Sequence, residues 1–339
     1  MKKFFATVAM TLSLMCANAV VIPVYKGYVF GNEDVTNAEL KRFPSIYDAV
    51  LKVKDGDKIT IKVTSVASED VCADGPSLSI KNKWKDVQVY NDIEVGSEFT
   101  FDIKEYKNST GKKVLLNAES FHKVDNAVAI SGRGITADIF IDVADAEAPA
   151  TYTNDAEGET TVYYNPNGLK VDWNSFVMFD ECHFKDLAVG GQLEFDLKDI
   201  DNTDPKKPAQ VALQDHNDWK TFLSNDENTL TNPIKVLVPI VDDKMVWTVG
   251  EDETQLAALN FVNGACEGFN LKGQNCKLTR IAIRSKAAVE AGISGIMAES
   301  KKADTKVYNL CGQMVSENGS LEELPQGVYI KNGKAVIKK

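Results

Sequence analysis

Gly190-Gly191-Gln192-Leu193-Glu194-Phe195-Asp196-Leu197 alternates apolar and polar residues with a period of two, Leu193, Phe195 and Leu197 against Glu194 and Asp196. This is the pattern of a strand with one face in a core and the other in solvent. The same unit occurs 134 residues earlier as Gly56-Asp57-Lys58-Ile59-Thr60-Ile61-Lys62-Val63. Features downstream of each copy recur in the same order. Leu78/Ile80 with Trp84 answers to Val211/Leu213 with Trp219, and Phe99/Phe101/Ile103 to Ile234/Val236/Val238/Ile240. Val128 to Gly132 answers to Phe269 to Gly273, and Ile139/Ile141 to Ile281/Ile283. The ordered matches make the chain a tandem duplication of one all-β unit. Ile59, Ile61 and Val63 are expected where Leu193, Phe195 and Leu197 lie, with their alternate partners facing solvent.

At 339 residues the chain has room for two domains, each able to bury a core without staples. Charged residues make up 26% and apolar ones 44%, a balance that excludes wholesale disorder. The net charge of −11 argues against a nucleic-acid partner, which would need clustered Lys and Arg. After the N-terminus no stretch approaches 18 apolar residues, so no helical membrane span is expected in the mature chain. Residues 1–19 read as a signal peptide: Lys2-Lys3, the apolar run Phe4 to Cys16, and the cleavage site Ala17-Asn18-Ala19. A lipoprotein acylated at Cys16 is the rival reading, against which Met15 is large for its position.

Cleavage leaves Cys72, Cys182, Cys266, Cys276 and Cys311, an odd number with none shared between the copies. Single buried thiols are expected rather than a disulfide framework. Cys266 and Cys276 are the only close pair, and a turn at Gly273 to Asn275 would carry Cys276 away from Cys266.

Short strands at regular spacing, with no convincing amphipathic helix between them, indicate two tandem antiparallel β-sandwich (jelly-roll-like) domains plus a small C-terminal β domain. The expected divisions are 20–143 for the first sandwich, 144–160 for a linker, 161–284 for the second sandwich, 285–305 for another linker and 306–339 for the tail. The second unit carries its extra length in loops at Asp199 to Pro208, Ser224 to Pro233 and Asp242 to Leu256. The tail reads as three short strands joined by glycine turns.

The tail reads Tyr308-Asn309-Leu310-Cys311-Gly312-Gln313-Met314-Val315, then Leu324-Pro325-Gln326-Gly327-Val328-Tyr329, then Asn332-Gly333-Lys334 and a basic end, Lys338-Lys339. It resembles the C-terminal sorting domain of the type IX secretion system of Gram-negative bacteria. The motif covers about a tenth of the chain and is specific. The resemblance implies passage of the inner membrane on the signal peptide and of the outer membrane on this tail, with the type IX machinery as partner. The expected location is extracellular or at the outer-membrane cell surface. More loosely, the duplicated units are similar to β-sandwich modules attached to secreted glycan-degrading enzymes. That likeness rests on Trp173, Gly190-Gly191, Trp219 and Gly268 to Gly273 in the second unit and on Gly56-Asp57, Trp84 and Gly132 in the first. It implies carbohydrate binding, with a polysaccharide as partner.

Sugar rings offer apolar C–H patches that stack on aromatic faces while amides and carboxylates read the hydroxyls. The candidate ligand-binding residues are therefore Trp219 with His216, Asn217 and Asp218, and Trp84 with Asn82. The competing reading makes a Trp kept in both halves part of the shared core. Trp247, unmatched and in an inserted segment, is the freer candidate for exposure. Asp180-Glu181-Cys182-His183, read as a strand, turns its side chains alternately to two faces and cannot close on one metal ion. Asp199, Asp201 and Asp204 form a better oxygen cluster for Ca²⁺, but lack the glycine and closing Glu of an EF-hand loop, so a solvated loop competes. No other cofactor is expected.

Three histidines, and the absence of H-E-x-x-H, G-x-S-x-G or a phosphate-cradling glycine loop, leave little for catalysis. The sequence thus points to a secreted non-catalytic glycan-binding protein. The alternatives are a structural or adhesive surface protein that binds proteins, and a glycoside hydrolase, which would need two carboxyls facing across a cleft.

Overall fold

The computed structural model describes residues 19–107, 111, 113–122, 128–174, 177–265, 268–291, 307–309, 314–316, 321, 324–331 and 334–338. The first half supplies β1 (Val20–Phe30), β2 (Thr36–Glu39), β3 (Lys58–Val66), β4 (Ser77–Asn82), β5 (Lys85–Tyr90), β6 (Glu98–Asp102), β7 (Lys104–Lys107), β8 (Lys113–Leu116), β9 (Val128–Arg133) and β10 (Ile135–Val143). The second supplies β11 (Glu159–Lys170), β12 (Val177–Phe179), β13 (Gln192–Lys198), β14 (Gln210–Gln214), β15 (Thr221–Ser224), β16 (Val236–Leu237), β17 (Ile240–Val241), β18 (Lys244–Thr248), β19 (Phe269–Gln274) and β20 (Lys277–Arg284). Among the described residues helix comes only in short pieces: α1 (Tyr47–Val50), α2 (Ala118–His122), α3 (Glu253–Asn260) with a wider turn over Phe261–Ala265, a run at 286–291 and single tight turns. The chain is mostly β, in several small antiparallel sheets, as the alternation predicts.

Strand order shows how the halves correspond. The first half has sheets β1-β10-β3-β6 and β2-β9-β4-β5, with β7-β8 a separate hairpin. The second has β11-β20-β13-β18-β17 and β12-β19-β14-β15-β16. Strip β17 and β16 from the ends and the two orders coincide position for position. Register agrees with this: Ile59 and Ile61 lie opposite Ile141 and Ile139 on one side and Phe101 and Phe99 on the other. Leu193 and Phe195 lie opposite Ile283 and Ile281, and Trp247 and Met245. The alternating stretch is thus the inner strand of its sheet in both halves.

Each half buries its apolar alternates in one cluster. Ile59, Ile61 and Ile139 meet Leu78, Ile80 and Ile130 across the first. Leu193, Phe195 and Ile281 meet Leu213, Phe269 and Leu271 across the second. A large apolar side chain taken fully out of water contributes about 1.5–3 kcal/mol, so these alternating positions carry the fold. Close approach also fixes glycine: at Gly273, φ +157°, a Cβ would overlap the carbonyl oxygen of Gln210 on β14.

Several sequence expectations need correcting. Phe99 and Phe101 correspond to β18, not to Ile234 to Ile240, because β16 and β17 are extra strands at the sheet edges. Asp242 to Leu256 is accordingly not a loop but holds β18 and the start of α3. Glu194, expected in solvent, is 3% exposed. Arg280, itself buried, lies across that face with Glu159, Glu194 and Asp196 as partners, and Lys244 Nζ stands 2.5 Å from Glu194 Oε1. A charge ladder, rather than water, satisfies the outer face of β13. Trp247 is buried at 2%, opposite Leu193 on β18, and its indole N–H donates to Gln255 Oε1 at 2.5 Å.

Both halves lie in one compact unit that ends at Ser285, and Lys286–Lys339 form another. Within the first unit the halves touch directly. The Asp180 amide donates to the Arg42 carbonyl at 3.0 Å, and the Tyr25 hydroxyl to the Cys182 carbonyl at 2.8 Å. The rings of Tyr25 and Phe43 stand 5.4 and 5.5 Å from the ring of His183. The tail strands β21 (Val307–Asn309), β22 (Met314–Ser316), β23 (Gly327–Lys331) and β24 (Lys334–Lys338) form one sheet, β22-β21-β23-β24, four strands where three were expected.

Candidate functional site

β4 and β5 are joined by two residues, Lys83 and Trp84, at φ +49° and +63°. A two-residue hairpin turn matches the twist of its strands when both central residues are left-handed, and Asn-Gly is the sequence that does so at least cost. Lys-Trp is among the least suited. Left-handed backbone costs a side-chain-bearing residue about 1–2 kcal/mol, and for a bulky one it is an outlier. Trp84 is 63% exposed, so most of the ring stands in solvent. The core reading of Trp84 therefore does not hold. Asn82, on the strand before the turn, is buried, and its side-chain amide donates to Ser120 Oγ on α2 at 3.1 Å.

The corresponding connection in the second half, between β14 and β15, is Asp215-His216-Asn217-Asp218-Trp219-Lys220. Asp215 is buried and organises the loop: Oδ1 accepts from the amides of Asn217 and Asp218, both at 2.8 Å, and Oδ2 from Asn232 Nδ2 at 3.1 Å. Burial, and then the nearby Asp218, push its carboxyl up. Asp218 is held down to about 2, first by its hydrogen bond with Asp215 and then by Lys220, whose Nζ is 2.6 Å away. Trp219 emerges at φ +61° and is 43% exposed, so it too lies outside the core. Asn217 and Asp218 share its exposed tip, while His216 is half-buried with Nε2 3.4 Å from the Phe179 carbonyl oxygen.

The other candidates disperse. Asp199 pairs with Lys277 at 2.7 Å, Asp201 accepts from the Thr203 hydroxyl at 2.6 Å, and Asp204 accepts from the Lys206 amide at 2.9 Å. Among the described residues no three His, Cys, Asp or Glu side chains gather as metal ligands. Asp180-Glu181-Cys182-His183 is a capped single helical turn over Glu181–His183, not a strand, because Asp180 Oδ1 accepts from the Cys182 amide. Cys276 is a free thiol, so it forms no bridge with Cys266, which lies outside the described residues. Of the tail residues, Leu310, Gly312, Gln313, Asn332 and Gly333 lie outside them too, as does the signal peptide up to Asn18. Tyr329 is buried, its hydroxyl donating to the Pro325 carbonyl at 2.8 Å.

Two features escaped the sequence reading. Lysines surround Trp84, at positions 81, 83 and 85, a pattern plainly visible once the hairpin is known. A cleft of about 750 Å³ also opens where the halves meet, lined among others by Ser45, Asp48, Tyr152, Tyr164, Asn165 and Asn167. Its residues come from four separated segments, so no local pattern announces it.

No family model matches the chain, and no curated protein matches it. Among solved structures it is similar to SGBP-B of the Bacteroides ovatus mixed-linkage glucan utilization locus, in complex with a mixed-linkage heptasaccharide. The identity is 14% over 68% of this chain and 50% of that one, with a TM-score of 0.25. The chain thus spans half the length of that protein, and a likeness of this size carries no argument about function.

Proposed function

We propose that the mature chain is a secreted, non-catalytic surface protein whose two β-sandwich modules, products of a tandem duplication, bind glycan through Trp84 and Trp219. One observation carries the reading. Both copies keep a tryptophan at the same hairpin tip, in left-handed backbone, with the ring in solvent. Residues held in strained backbone gather at functional sites, and an exposed indole flanked by polar side chains is suited to stack on a sugar. A spacer role would sooner have buried these rings.

What supports two sandwiches, over the propeller-like arrangement that several small sheets could also form, is that the two sheets of each half share one core cluster. Export by the type IX route rests on the tail motif. Its support is that the tail is a unit by itself and that its Pro325 and Tyr329 are joined by a hydrogen bond.

The test is calorimetric titration of the mature chain against a panel of soluble polysaccharides. Trp84→Ala or Trp219→Ala should weaken binding by about 1–3 kcal/mol, what a desolvated aromatic anchor contributes, with the melting midpoint little changed. A panel with no ligand, or variants that bind like the parent, would remove the reading.

A further inference from the structure

The two tips share a tryptophan in left-handed backbone but not a charge. Around Trp84 stand Lys81, Lys83 and Lys85, the last two exposed; of the nearby acids, Asp86 accepts from the Ser79 hydroxyl at 3.1 Å, and Glu119 adjoins the Ser120 that accepts from Asn82. The ion pairs of this half form elsewhere: Lys62 with Glu98, Lys104 with Asp102, Arg133 with Asp74. Among the described residues none of the three lysines takes part in one. Around Trp219 the only lysine, Lys220, is neutralised by Asp218 at 2.6 Å, and Asp215 adds a second carboxylate. In a chain of net charge −11, three unmatched cations at one hairpin end are not background composition.

We infer that the tips have diverged in ligand class, and that the Trp84 tip takes an anionic glycan, one bearing carboxylate or sulfate groups, while the Trp219 tip takes a neutral one. This rests on the reading of the exposed tryptophans as sugar platforms. A Lys ammonium is a compact point charge with three rotatable donors on a flexible stem, suited to anionic groups whose spacing along a polymer varies. An exposed pair is worth little by itself, but several act together on a polyanion, and they are screened by salt. At the second tip the Asp218–Lys220 pair cancels its own charge, and no unpaired cation stands beside the ring among the residues of the loop. Asn217 and Asp218 remain to accept and donate to hydroxyls. Nucleic acid is the other polyanion that stacks on exposed aromatic rings, but no extended basic groove accompanies the tip among the described residues.

The experiment titrates the mature chain with polygalacturonate, with a soluble neutral β-glucan and with single-stranded DNA, at about 0.05 M and about 0.5 M salt, a span over which screening shortens from about 14 Å to about 4 Å. Polygalacturonate affinity should fall about tenfold in high salt, and about tenfold in Lys83→Ala/Lys85→Ala at low salt, as loss of two or three exposed charge contacts implies. Trp84→Ala should weaken it about tenfold or more, in low and high salt alike. Binding of the glucan should respond to Trp219→Ala alone and ignore both salt and the lysine variant. An unchanged melting midpoint in the lysine variant shows that the hairpin persists, and Lys83→Arg/Lys85→Arg should restore affinity. If Trp84 supports salt-independent binding of the neutral glucan instead, the assignment of class is overturned while glycan binding stands. If neither tryptophan matters for any polysaccharide, the glycan reading itself falls. DNA bound more tightly than polygalacturonate through Trp84 would overturn the glycan class at that tip.

Discussion

Replacing Trp84 by glycine separates a strained functional residue from a structural one, because the two roles predict different stabilities. About a third of Trp84 is shielded from solvent. A tryptophan that buries at most about 250 Å² would then lose about 80 Å² of contact, worth about 2 kcal/mol at about 25 cal/mol per Å², and less against a compact unfolded chain. Glycine regains the left-handed penalty of about 1–2 kcal/mol, offset by about 0.5–1 kcal/mol of extra chain freedom in the unfolded state. Trp84→Gly should therefore stay within about 1 kcal/mol of the parent in urea unfolding while losing its share of glycan binding. Trp247→Ala is the paired control. It empties a buried site and strands Gln255, for about 3–5 kcal/mol, or about 10 °C in the melting midpoint. A loss of about 3 kcal/mol or more in Trp84→Gly would show that this ring carries the fold, and the strain argument would be refuted.

Arg280→Met should cost about 3 kcal/mol in thermal or urea unfolding, because Glu159 and Glu194 stay buried with one cation fewer; a neutral result would mean that water reaches that face. Acid should weaken the contact between the halves. Burial holds the His183 imidazole below its usual range, so its contribution is whole above the unfolded value of about 6.5 and declines as pH falls below it. Asp180 alongside is pushed up by burial and acts in the opposite sense, from its raised value down to the unfolded one of about 4. Melting between about pH 7.5 and 5.5 should show a slope that His183→Phe flattens. Gly273→Ala should prevent folding, seen as loss of soluble protein, since the Gln210 carbonyl occupies the place of the new methyl. Deleting residues 306–339 should leave the protein in the periplasm with an unchanged fold of residues 20–284, measured by fractionation and melting.

Alternation made the inner strands legible. Leu193, Phe195, Ile59 and Ile61 lie where their period placed them, because one-sided burial imprints a two-residue rhythm on the chain. The rhythm stops short where burial is two-sided: Glu194 keeps the polar residue but not the solvent, since an arginine from β20 supplies what water would have. The edge strands β16 and β17, two residues each, are too short to carry any period, which is why the segment holding β18 reads in sequence as a loop and Trp247 as a surface residue. The hairpin tryptophans were found as a repeated residue type, yet their exposure hangs on a positive φ that residue identity argues against. The lysines beside Trp84 read in sequence as ordinary strand-flanking charge, and only the two-residue turn gathers them.

Residues 144–160 do not behave as a free tether. The Arg280 guanidinium lies 4.3 Å from the centre of the Tyr152 ring, and Asp155 accepts from the Thr161 hydroxyl at 2.6 Å and from Arg280 at 3.2 Å. With Tyr25 and Arg42 bonded to residues 180–182, the separation of the two hairpin tips is a property of the fold rather than of a swinging string. Joined sites multiply affinity only when one ligand can span them. A flexible joint would let many polymers do so. A stiff one works as a gauge, rewarding a polysaccharide whose acidic and neutral stretches recur at the built-in distance and leaving all others to single-point attachment.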